Sequence, residues 1–393
     1  MSLSPTNRSA DLQQLRREGY EISIEAGHLV LAGVPYVTRA KEVKRGKLVS
    51  TLQLNGDVTV RPDTHVVHFA GEEPCLANGT PYAKLIHSSA TTDLGKGLVV
   101  NFSFSQKPPS GHYENYYEKM TTYAAMLTAQ AQAHDAAATA KTFIAVPSEG
   151  DEDSVFHYMD TASPRAQIGA ASATLAGQKI GIVGLGGTGA YVLDFVAKCP
   201  VAEIHLFDGD KFHQHSAFRA PGAASLEELR ANEHKAVRFA QKYSRMHRHV
   251  IAHPEFVNEA NVQTLCGLDF VFVCVDKGSA KKIIFEALEA AKVGFVDCGL
   301  GVLHADEGRL QGHVRTTAST EKKRDHLRSR VSLADTEEGA YAQNIQIAEL
   351  NALAATLAVL KWKKLRGFYV DLDGEHTSTF AISGSALLNE DHA

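Results

Sequence analysis

Lys179-Ile-Gly-Ile-Val-Gly-Leu-Gly-Gly-Thr-Gly-Ala-Tyr191 is the stretch that decides how the rest of the chain is arranged. An apolar run leads through four glycines, Gly184, Gly186, Gly187 and Gly189, into a segment that predicts a helix. Glycine permits a tight turn at the first position, close approach of a phosphate at the middle two, and packing of helix on strand at the last. The N-terminal end of the helix also favours an anion. The pattern predicts a nucleotide-binding strand, turn and helix, and leaves the nucleotide open.

Strand-like and helix-like segments alternate after this stretch. The predicted strands are residues 180–183, 203–208, 250–254, 270–275 and 294–297. The predicted helices between them are residues 188–199, 235–246, 258–265 and 279–291. Parallel strands need crossover connections, and helices provide them. The order therefore predicts an α/β fold with a doubly wound, Rossmann-like, mostly parallel sheet.

The alternation ends after residue 297. Residues 302–314 predict a hairpin, and residues 368–372 and 379–382 predict an antiparallel pair of strands at an edge. Residues 340–365 predict a long helix with apolar positions on nearly one face. Those positions are Ile345, Ile347, Leu350, Leu353, Leu357 and Leu360. Ahead of the glycines, a helix is predicted through residues 158–176.

Residues 1–150 predict a smaller α+β domain that precedes the one with the glycines. Its predicted elements are a helix at 10–19, strands at 28–32, 47–54, 64–69 and 97–105, and a helix at 114–133. A polar, acidic stretch with proline and glycine follows. We place a linker at residues 151–157 and the second domain at residues 158–393.

Composition excludes several classes of function. The 393 residues are 44% hydrophobic and 22% charged with a formal net charge of −5, which gives no reason to expect nucleic acid or a membrane as a partner. The polar start and the lack of an apolar run of about 18 residues lead us to expect a cytoplasmic protein. The five cysteines are odd in number and form no Cys-x-x-Cys pair, so neither a disulfide framework nor a structural zinc is expected.

Charged residues follow the predicted strands at the edge where such folds bind ligands. Asp208 ends the second strand, where an acid binds ribose hydroxyls, and Arg219, Lys235 and Asp276 lie in loops at the same edge. Two cations and an acid fit a triphosphate with Mg²⁺ better than a nicotinamide. Attack by a carboxylate on an α-phosphate spreads negative charge over the phosphoryl oxygens and the departing pyrophosphate, and cations must be aimed there beforehand.

This set of residues resembles the adenylation domain of ThiF, MoeB and the ubiquitin-activating enzymes, over roughly residues 160–385. The resemblance is carried by Val183-Gly-Leu-Gly-Gly-Thr-Gly189, Asp208-Gly-Asp210, Arg219, Lys235 and Val273-Cys-Val-Asp276. It implies that the glycine loop, Asp208 and Asp210 hold ATP, that Arg219 and Lys235 contact phosphates, and that Asp276 coordinates Mg²⁺. In the family, an arginine from the partner protomer also reaches ATP. Arg165 matches it in position, which implies a homodimer.

The resemblance also implies a reaction. It is the ATP-dependent adenylation of the C-terminal glycine of a ubiquitin-like protein, with a conjugating-enzyme-like carrier as a further partner. The substrate tail would thread under a crossover segment, here residues 316–338. An extra domain ahead of a ThiF-like module resembles the activating enzymes of bacterial ubiquitin-like conjugation operons. The first domain would then dock the substrate or the carrier, or be a divergent carrier domain itself.

Two departures from the family pattern bear on the reaction. His215-Ser-Ala-Phe-Arg219 keeps only the arginine of a longer family motif, and the crossover segment contains no cysteine. Three fates of the acyl group follow. It passes directly to a nucleophile on a partner; it forms an oxyester on a serine, with His326 as the candidate base; or it is accepted by Cys75 of the first domain. The candidate serines are Ser319, Ser329 and Ser332.

Three other functions remain open at this stage. An NAD(P)-dependent oxidoreductase would share the glycine motif but would not need Arg219 and Lys235. A non-catalytic nucleotide-binding scaffold would share the whole fold. Sulfur-carrier activation for cofactor biosynthesis would share the adenylation step.

Overall fold

The computed structural model describes residues 9–56, 58–144, 154–158, 160, 162–166, 168–305, 308–335 and 345–392. The chain forms two compact units: Met1–Ser154 with Tyr158–Ala166, and Val155–His157 with Gln167–Ala393. Of the expected linker, residues 151–153 lie outside the described part. Phe156 pairs with His247 and so belongs to the second unit.

The first unit combines an antiparallel sheet with helices, which confirms a separate α+β domain. Its strands are β1 (Glu21–Glu25), β2 (His28–Val37), β3 (Val43–Thr51), β6 (Val66–Ala70), β7 (Ile86–Asp93) and β8 (Val99–Ser105), in the order β1-β2-β3-β6-β8-β7. A separate small ribbon pairs β4 (Leu54–Asn55) with β5 (Val58–Thr59). The unit's longest described helices are α1 (Ala10–Arg17) and α2 (Tyr116–Gln132).

Helix α2 starts where the sequence provides a cap, because the Asn115 side chain accepts a hydrogen bond from the Glu118 N–H at 2.9 Å. Its Tyr116 and Tyr123 are fully buried in the core of this unit. The sequence did not predict β1 or β7. Strand β7 is polar and almost wholly exposed, so it shows none of the apolar alternation that reveals a half-buried strand.

The second unit is built on an eight-stranded sheet. Its strands are β9 (Lys179–Val183), β10 (Glu203–Phe207), β11 (Val250–His253), β12 (Phe270–Val273), β13 (Gly294–His304), β14 (Leu310–Ser319), β15 (Thr377–Ala381) and β16 (Ala386–Glu390). The order is β11-β10-β9-β12-β13-β14-β15-β16. Neighbours are parallel from β11 to β13 and antiparallel from β13 to β16. The predicted α/β fold with a mostly parallel sheet is confirmed.

The remaining described helices follow in chain order, and all but the first of them belong to the second unit. They are α3 (Ala162–Arg165, in the first unit), α4 (Gly169–Ala173), α5 (Gly187–Val196), α6 (Gln214–Ala217), α7 (Leu226–Arg230), α8 (Lys235–Tyr243), α9 (Gly278–Ala290), α10 (Leu327–Arg330) and α11 (Ala348–Leu365), with a 3₁₀ helix at Val262–Gly267. The continuous helix expected over residues 158–176 is instead two short ones. Among the described residues, no helix is both long and apolar enough to cross a membrane.

The carboxyl ends of the central strands are in register, and this positions the site. Val183 pairs with Phe207 on one side and with Val273 on the other. Strand β10, which follows β9 in the chain, lies on one side of β9, and β12 lies on the other side. The carboxyl end of β9 is therefore the switch point at which open α/β sheets form a crevice. The residues that follow the three strands, Gly184, Asp208 and Cys274, emerge together at its edge.

Helix α11 buries a different face from the one predicted. Ala354, Ala355, Ala358 and Trp362 face the core, whereas Leu360 is 39% exposed. Small side chains let α11 approach α5 and the sheet closely, so alanine takes the inner positions. The helix begins at Ala348; residues 340–344 of its expected first turn lie outside the described part.

The prediction of a strand at 368–372 is wrong. Val370 and Leu372 are 80% and 94% exposed, and the neighbouring Asp371 is tied to Lys361 at 3.1 Å and to the Gly374 N–H at 3.0 Å. These polar contacts hold the segment as a turn, and β15 pairs with β16 instead. The predicted hairpin at 302–314 is real but longer, because β13 and β14 pair from Phe295 with Ser319 to His304 with Leu310.

Candidate nucleotide-binding site

A cavity of about 610 Å³ lies at the carboxyl edge of the sheet in the second unit. The structure brings most of the predicted site residues to its wall: Gly184, Gly186, Gly187, Asp208, Asp210, Arg219, Lys235 and Asp276. Gly189 lies behind the loop. Arg165 falls in helix α3, and its side chain is outside the described part.

The glycine loop is shaped by close packing. Gly184 has a φ of +87°, and its N–H donates to Phe207 O at 2.8 Å, which ties the turn to β10. A Cβ on Gly187 would lie 2.7 Å from Asn351 Oδ1 and closer still to Nδ2, and a Cβ on Gly189 would overlap the carbonyl oxygen of Gly184. A Cβ on Gly186 would meet nothing within 4 Å. The loop is therefore packed from behind and open towards the cavity at Gly186.

Asp208 anchors the loop as well as facing the cavity. Its Oδ2 accepts the Leu185 N–H at 2.6 Å and its Oδ1 accepts the Asp210 N–H at 2.8 Å. The side chain is 6% exposed, and burial raises the pKa of this carboxyl against the opposing effect of Lys235. Each oxygen keeps a second lone pair, so a ribose hydroxyl could still donate to it.

Lys235 holds a positive charge at the cavity wall. It is the first residue of α8, is 7% exposed overall, and places Nζ 2.8 Å from Asp210 Oδ2 and 3.8 Å from Asp208 Oδ2. Its own N–H donates to Asp210 O at 2.9 Å. The ammonium group is thus fixed between two carboxylates beside the glycine loop.

Arg219 and Asp276 are joined through a residue that the sequence did not single out. Arg219 Nη1 donates to Gln346 Oε1 at 3.1 Å, and Gln346 Nε2 donates to Asp276 Oδ2 at 3.2 Å. Arg219 Nε is buried and has no hydrogen-bond partner among the described residues. Gln346 lies two residues after the undescribed residues 336–344 and 70 residues after Asp276. No local motif marks it, so only the fold reveals it.

The family model of ThiF matches residues 163–383, more than half of the chain. This chain belongs to the ThiF family. Members are ATP-dependent adenylyltransferases that use Mg²⁺, so it is a ThiF-family adenylation enzyme. A domain of unknown function, DUF6791, matches residues 10–161. No curated protein matches the chain.

Solved structures that resemble the chain include E. coli MccB with MccA-N7isoASN, at 15% identity and a TM-score of 0.46, over 57% of this chain and 67% of MccB. PaaA is 16% identical with a TM-score of 0.45, over 56% of this chain and 75% of PaaA. The structure of E. coli TcdA, the tRNA N6-threonylcarbamoyladenosine dehydratase, in complex with AMP is 21% identical with a TM-score of 0.39, over 52% of this chain and 92% of TcdA. At these identities the similarity concerns the fold alone.

The donor set of this ThiF-family site fits Mg²⁺ bound largely by ATP. Asp276 is exposed at the cavity, and no group of three or more His, Cys, Asp or Glu side chains that could hold a metal occurs in the described part of the chain. Mg²⁺ is commonly held by one or two carboxylates together with substrate phosphates and water. A single carboxylate beside a phosphate-sized space is consistent with that mode.

The rest of the cavity wall is largely apolar. Phe256, Val257, Val275, Ile283 and Ile284 line it, and a Cβ on Gly209 would lie 2.6 Å from the Phe256 ring. A glycine next to Asp208 thus lets an aromatic ring lie against the chain. Such a surface suits a planar base attached to a ribose held at Asp208.

Cys274 and Cys298 also line the cavity. The Cys298 thiol hydrogen-bonds to Cys274 and, together with burial, raises the pKa of Cys274. Both belong to the apolar core on the α5 side of the sheet. They are packed thiols rather than activated nucleophiles.

The serines predicted as acyl acceptors are not brought to the cavity wall. Ser319 is the last residue of β14 and is fully buried. Residues 316–318 belong to the same strand, so the crossover segment starts at residue 320 rather than at residue 316. Ser329 Oγ donates to His326 O at 2.7 Å, and Ser332 is exposed. His326 is buried and donates from Nε2 to Ala318 O at 3.0 Å, and burial lowers its pKa.

Cys75 lies in the first unit and is 1% exposed. Its Sγ donates to Glu73 O at 3.5 Å, and burial, with Glu73, raises the pKa of the thiol. A buried thiol with a raised pKa is a poor nucleophile at neutral pH. This placement disfavours the third of the fates considered for the acyl group.

Proposed function

We propose that this ThiF-family enzyme activates the C-terminal glycine of a ubiquitin-like protein as an acyl-adenylate and releases pyrophosphate. The observation that carries the ATP half of the proposal is the convergence of Arg219, Lys235 and Asp276 with the glycine loop on one cavity. The ubiquitin-like substrate is supported by the resemblance of this residue set to the activating enzymes.

The residues present suggest how ATP would be held. Ribose hydroxyls would donate to Asp208, and the phosphates would lie over Gly186, where the loop is open. Arg219 Nε, which is buried and has no partner in the described part of the chain, would find its acceptor in a phosphate oxygen. Mg²⁺ held at Asp276 supplies positive charge to the departing pyrophosphate.

The reaction needs little from the protein beyond position and charge. A carboxylate oxygen of the substrate attacks the α-phosphorus, the bond to the bridging oxygen of the β-phosphate breaks, and the electron pair leaves with pyrophosphate. Arg219 and Lys235 face the charge that develops, in a cavity whose apolar lining strengthens their effect. A dinucleotide redox cofactor would not call for this combination of two cations and an acid, which favours adenylation over hydride transfer.

We further propose that the acyl group passes to a nucleophile on a partner protein, such as a conjugating-enzyme-like carrier. The candidate serines do not line the cavity, and Cys75 is buried within the first unit, which supports transfer between proteins. A homodimer in which Arg165 of one protomer serves the ATP of its partner is part of the same proposal. Mixing R165A with D276A chains tests it: a dimer with shared sites regains activity from two inactive parents, and independent protomers regain none.

The substrate proposal is tested by trapping the acyl group. The enzyme, ATP and Mg²⁺ are incubated with ubiquitin-like proteins that end in glycine, and hydroxylamine is added to capture any activated carboxylate as a hydroxamate detectable by mass. The expected product carries the hydroxamate at the C-terminal glycine, and a C-terminally amidated control gives none. Equal hydroxamate from the amidated protein, or none from any protein of this class, would contradict the proposal.

A further inference from the structure

Gln346 lies between the two charged groups on which the proposed chemistry depends. Its Oε1 accepts from Arg219 Nη1 at 3.1 Å and its Nε2 donates to Asp276 Oδ2 at 3.2 Å. Arg219 sits just beyond α6 and Asp276 just beyond β12, so the amide bridges two separate elements. All three side chains line the same cavity.

The chain is arranged to place this amide in the cavity. The residue after it, Ile347, is extended, with φ −120° and ψ 142°, and helix α11 begins only at Ala348. Had the helix begun at residue 340, Gln346 would have lain on its surface. The late start leaves residue 346 outside the helix, and its side chain reaches Arg219 and Asp276.

A neutral side chain that can both accept and donate fills this position without altering the charge, and the glutamine amide is such a group. Towards an arginine it must accept, and towards a carboxylate it must donate. Lysine and arginine cannot accept, and an ionised glutamate cannot donate. The amide also separates a cation from an anion that would otherwise be drawn into a direct ion pair, in which each would neutralise the other.

We propose that Gln346 is a positioning residue that holds Arg219 and Asp276 apart and oriented, the guanidinium towards phosphate and the carboxylate towards Mg²⁺. The inference rests on the proposed roles of those two residues. With the amide in place, Nη1 of the arginine is engaged and its buried Nε is left for a phosphate oxygen. Without it, the arginine can pair directly with the aspartate, and ATP·Mg²⁺ must then break that pair to bind.

The test compares the affinity of full-length variants for ATP·Mg²⁺ by calorimetry. Q346A and Q346M, the second of similar length but apolar, are expected to weaken binding roughly tenfold through the loss of hydrogen bonds to two charged groups. Q263A is the matched control, because Gln263 is exposed on the 3₁₀ helix and remote from the cavity wall. Melting temperatures show that the variants are folded.

The Q346E variant tests the positioning role by the pH dependence of its affinity for ATP·Mg²⁺, which would not change if Gln346 were merely structural. Ionised, its carboxylate pairs with Arg219 and repels Asp276; protonated, it accepts through C=O and donates through O–H as the amide does. The affinity of Q346E relative to wild type is therefore expected to rise as the pH falls from about 8 towards about 5, where the carboxyl begins to be protonated. The ratio to wild type cancels the titration of the other charged groups around the cavity: Asp208, Asp210, His215, Lys235 and Lys277. The ratio for Q346M should stay flat.

The outcomes separate this inference from the function on which it rests. If wild type binds ATP·Mg²⁺ but Q346A and Q346M bind equally well, or bind more tightly, Gln346 does not position the site. A Q346E ratio that stays flat with pH also overturns the inference while leaving the proposed function intact. If wild type itself binds no ATP·Mg²⁺, both fail.

Discussion

Three alanine substitutions in the glycine loop should have three different outcomes. G186A places its Cβ in open space, G187A drives it into the side chain of Asn351, and G189A drives it into the backbone carbonyl of Gly184. The residues are neighbours at the start of α5, so differences in helix propensity alone would be small. The structure instead predicts a wide spread of stabilities, set by what each methyl group meets.

The magnitudes follow from the contacts. Asn351 is fully buried and its Oδ1 accepts from Thr188 Oγ1 at 2.9 Å, so it cannot yield without losing that hydrogen bond, worth about 1 kcal/mol. Overpacking adds roughly 1–3 kcal/mol. G187A should therefore lower the free energy of unfolding by about 2–4 kcal/mol. G186A should stay within about 1 kcal/mol of wild type, the range for a change at a helix N-cap. G189A should exceed about 4 kcal/mol, because no side chain can move out of its way.

A second substitution checks the mechanism. N351A removes the side chain that G187A meets, so G187A/N351A should be nearly as stable as N351A alone, with a favourable coupling of about 2–3 kcal/mol. N351A should not rescue G189A. The single tryptophan, Trp362, is buried in the core of the second unit, so its fluorescence during urea unfolding reports on that unit. Equal stability of G186A and G187A, or failure of N351A to suppress G187A, would refute the reasoning.

Other predictions concern single residues. Burial lowers the pKa of Lys119 to about 8. As the pH falls from about 10.5 to about 8, the unfolded state therefore gains a proton that the folded state does not gain. The free energy of unfolding of the first unit should fall by roughly 3 kcal/mol over this range. The K119M variant should not show this loss of stability, and hydrogen exchange in α2 can measure the difference. If K119M and wild type had the same pH dependence of stability, a buried charge at residue 119 would be contradicted. K235M should weaken ATP binding more than tenfold by calorimetry, through loss of a charge-assisted contact, and an unchanged affinity would exclude Lys235 from the phosphate site. The C75S variant should adenylate at the wild-type rate. In the wild type, Cys75 should react with maleimide more slowly than the half-exposed Cys266, and faster reaction of Cys75 would support it as an acyl acceptor.

The parallel part of the second unit was predictable because its signals are local. Each strand is a short apolar run, each crossover is a helix, and Asp208 and Asp276 come directly or within three residues after their strands, whereas Arg219 and Lys235 lie in the connection between β10 and β11. The fold rule that brings the carboxyl ends of parallel strands to one edge then places these side chains together without further information.

What the sequence missed depends on contacts between distant residues. Gln346 reaches the site only because α11 starts late, and Asn351 supports the glycine loop across 163 positions from Thr188. The inner face of α11 is alanine because of how closely it packs, which the spacing of its leucines does not reveal. Val370 and Leu372 looked like strand residues, but polar contacts of Asp371 hold them in a turn.

The central claim is that this cavity binds ATP so that a carboxylate attacks its α-phosphate. Mg²⁺-dependent exchange of labelled pyrophosphate into ATP, in the presence of ubiquitin-like proteins that end in glycine, tests it most directly. The account predicts exchange by wild type that is lost in both D276A and R219A. Normal exchange by both variants, or none by wild type with every glycine-terminated substrate, would contradict it.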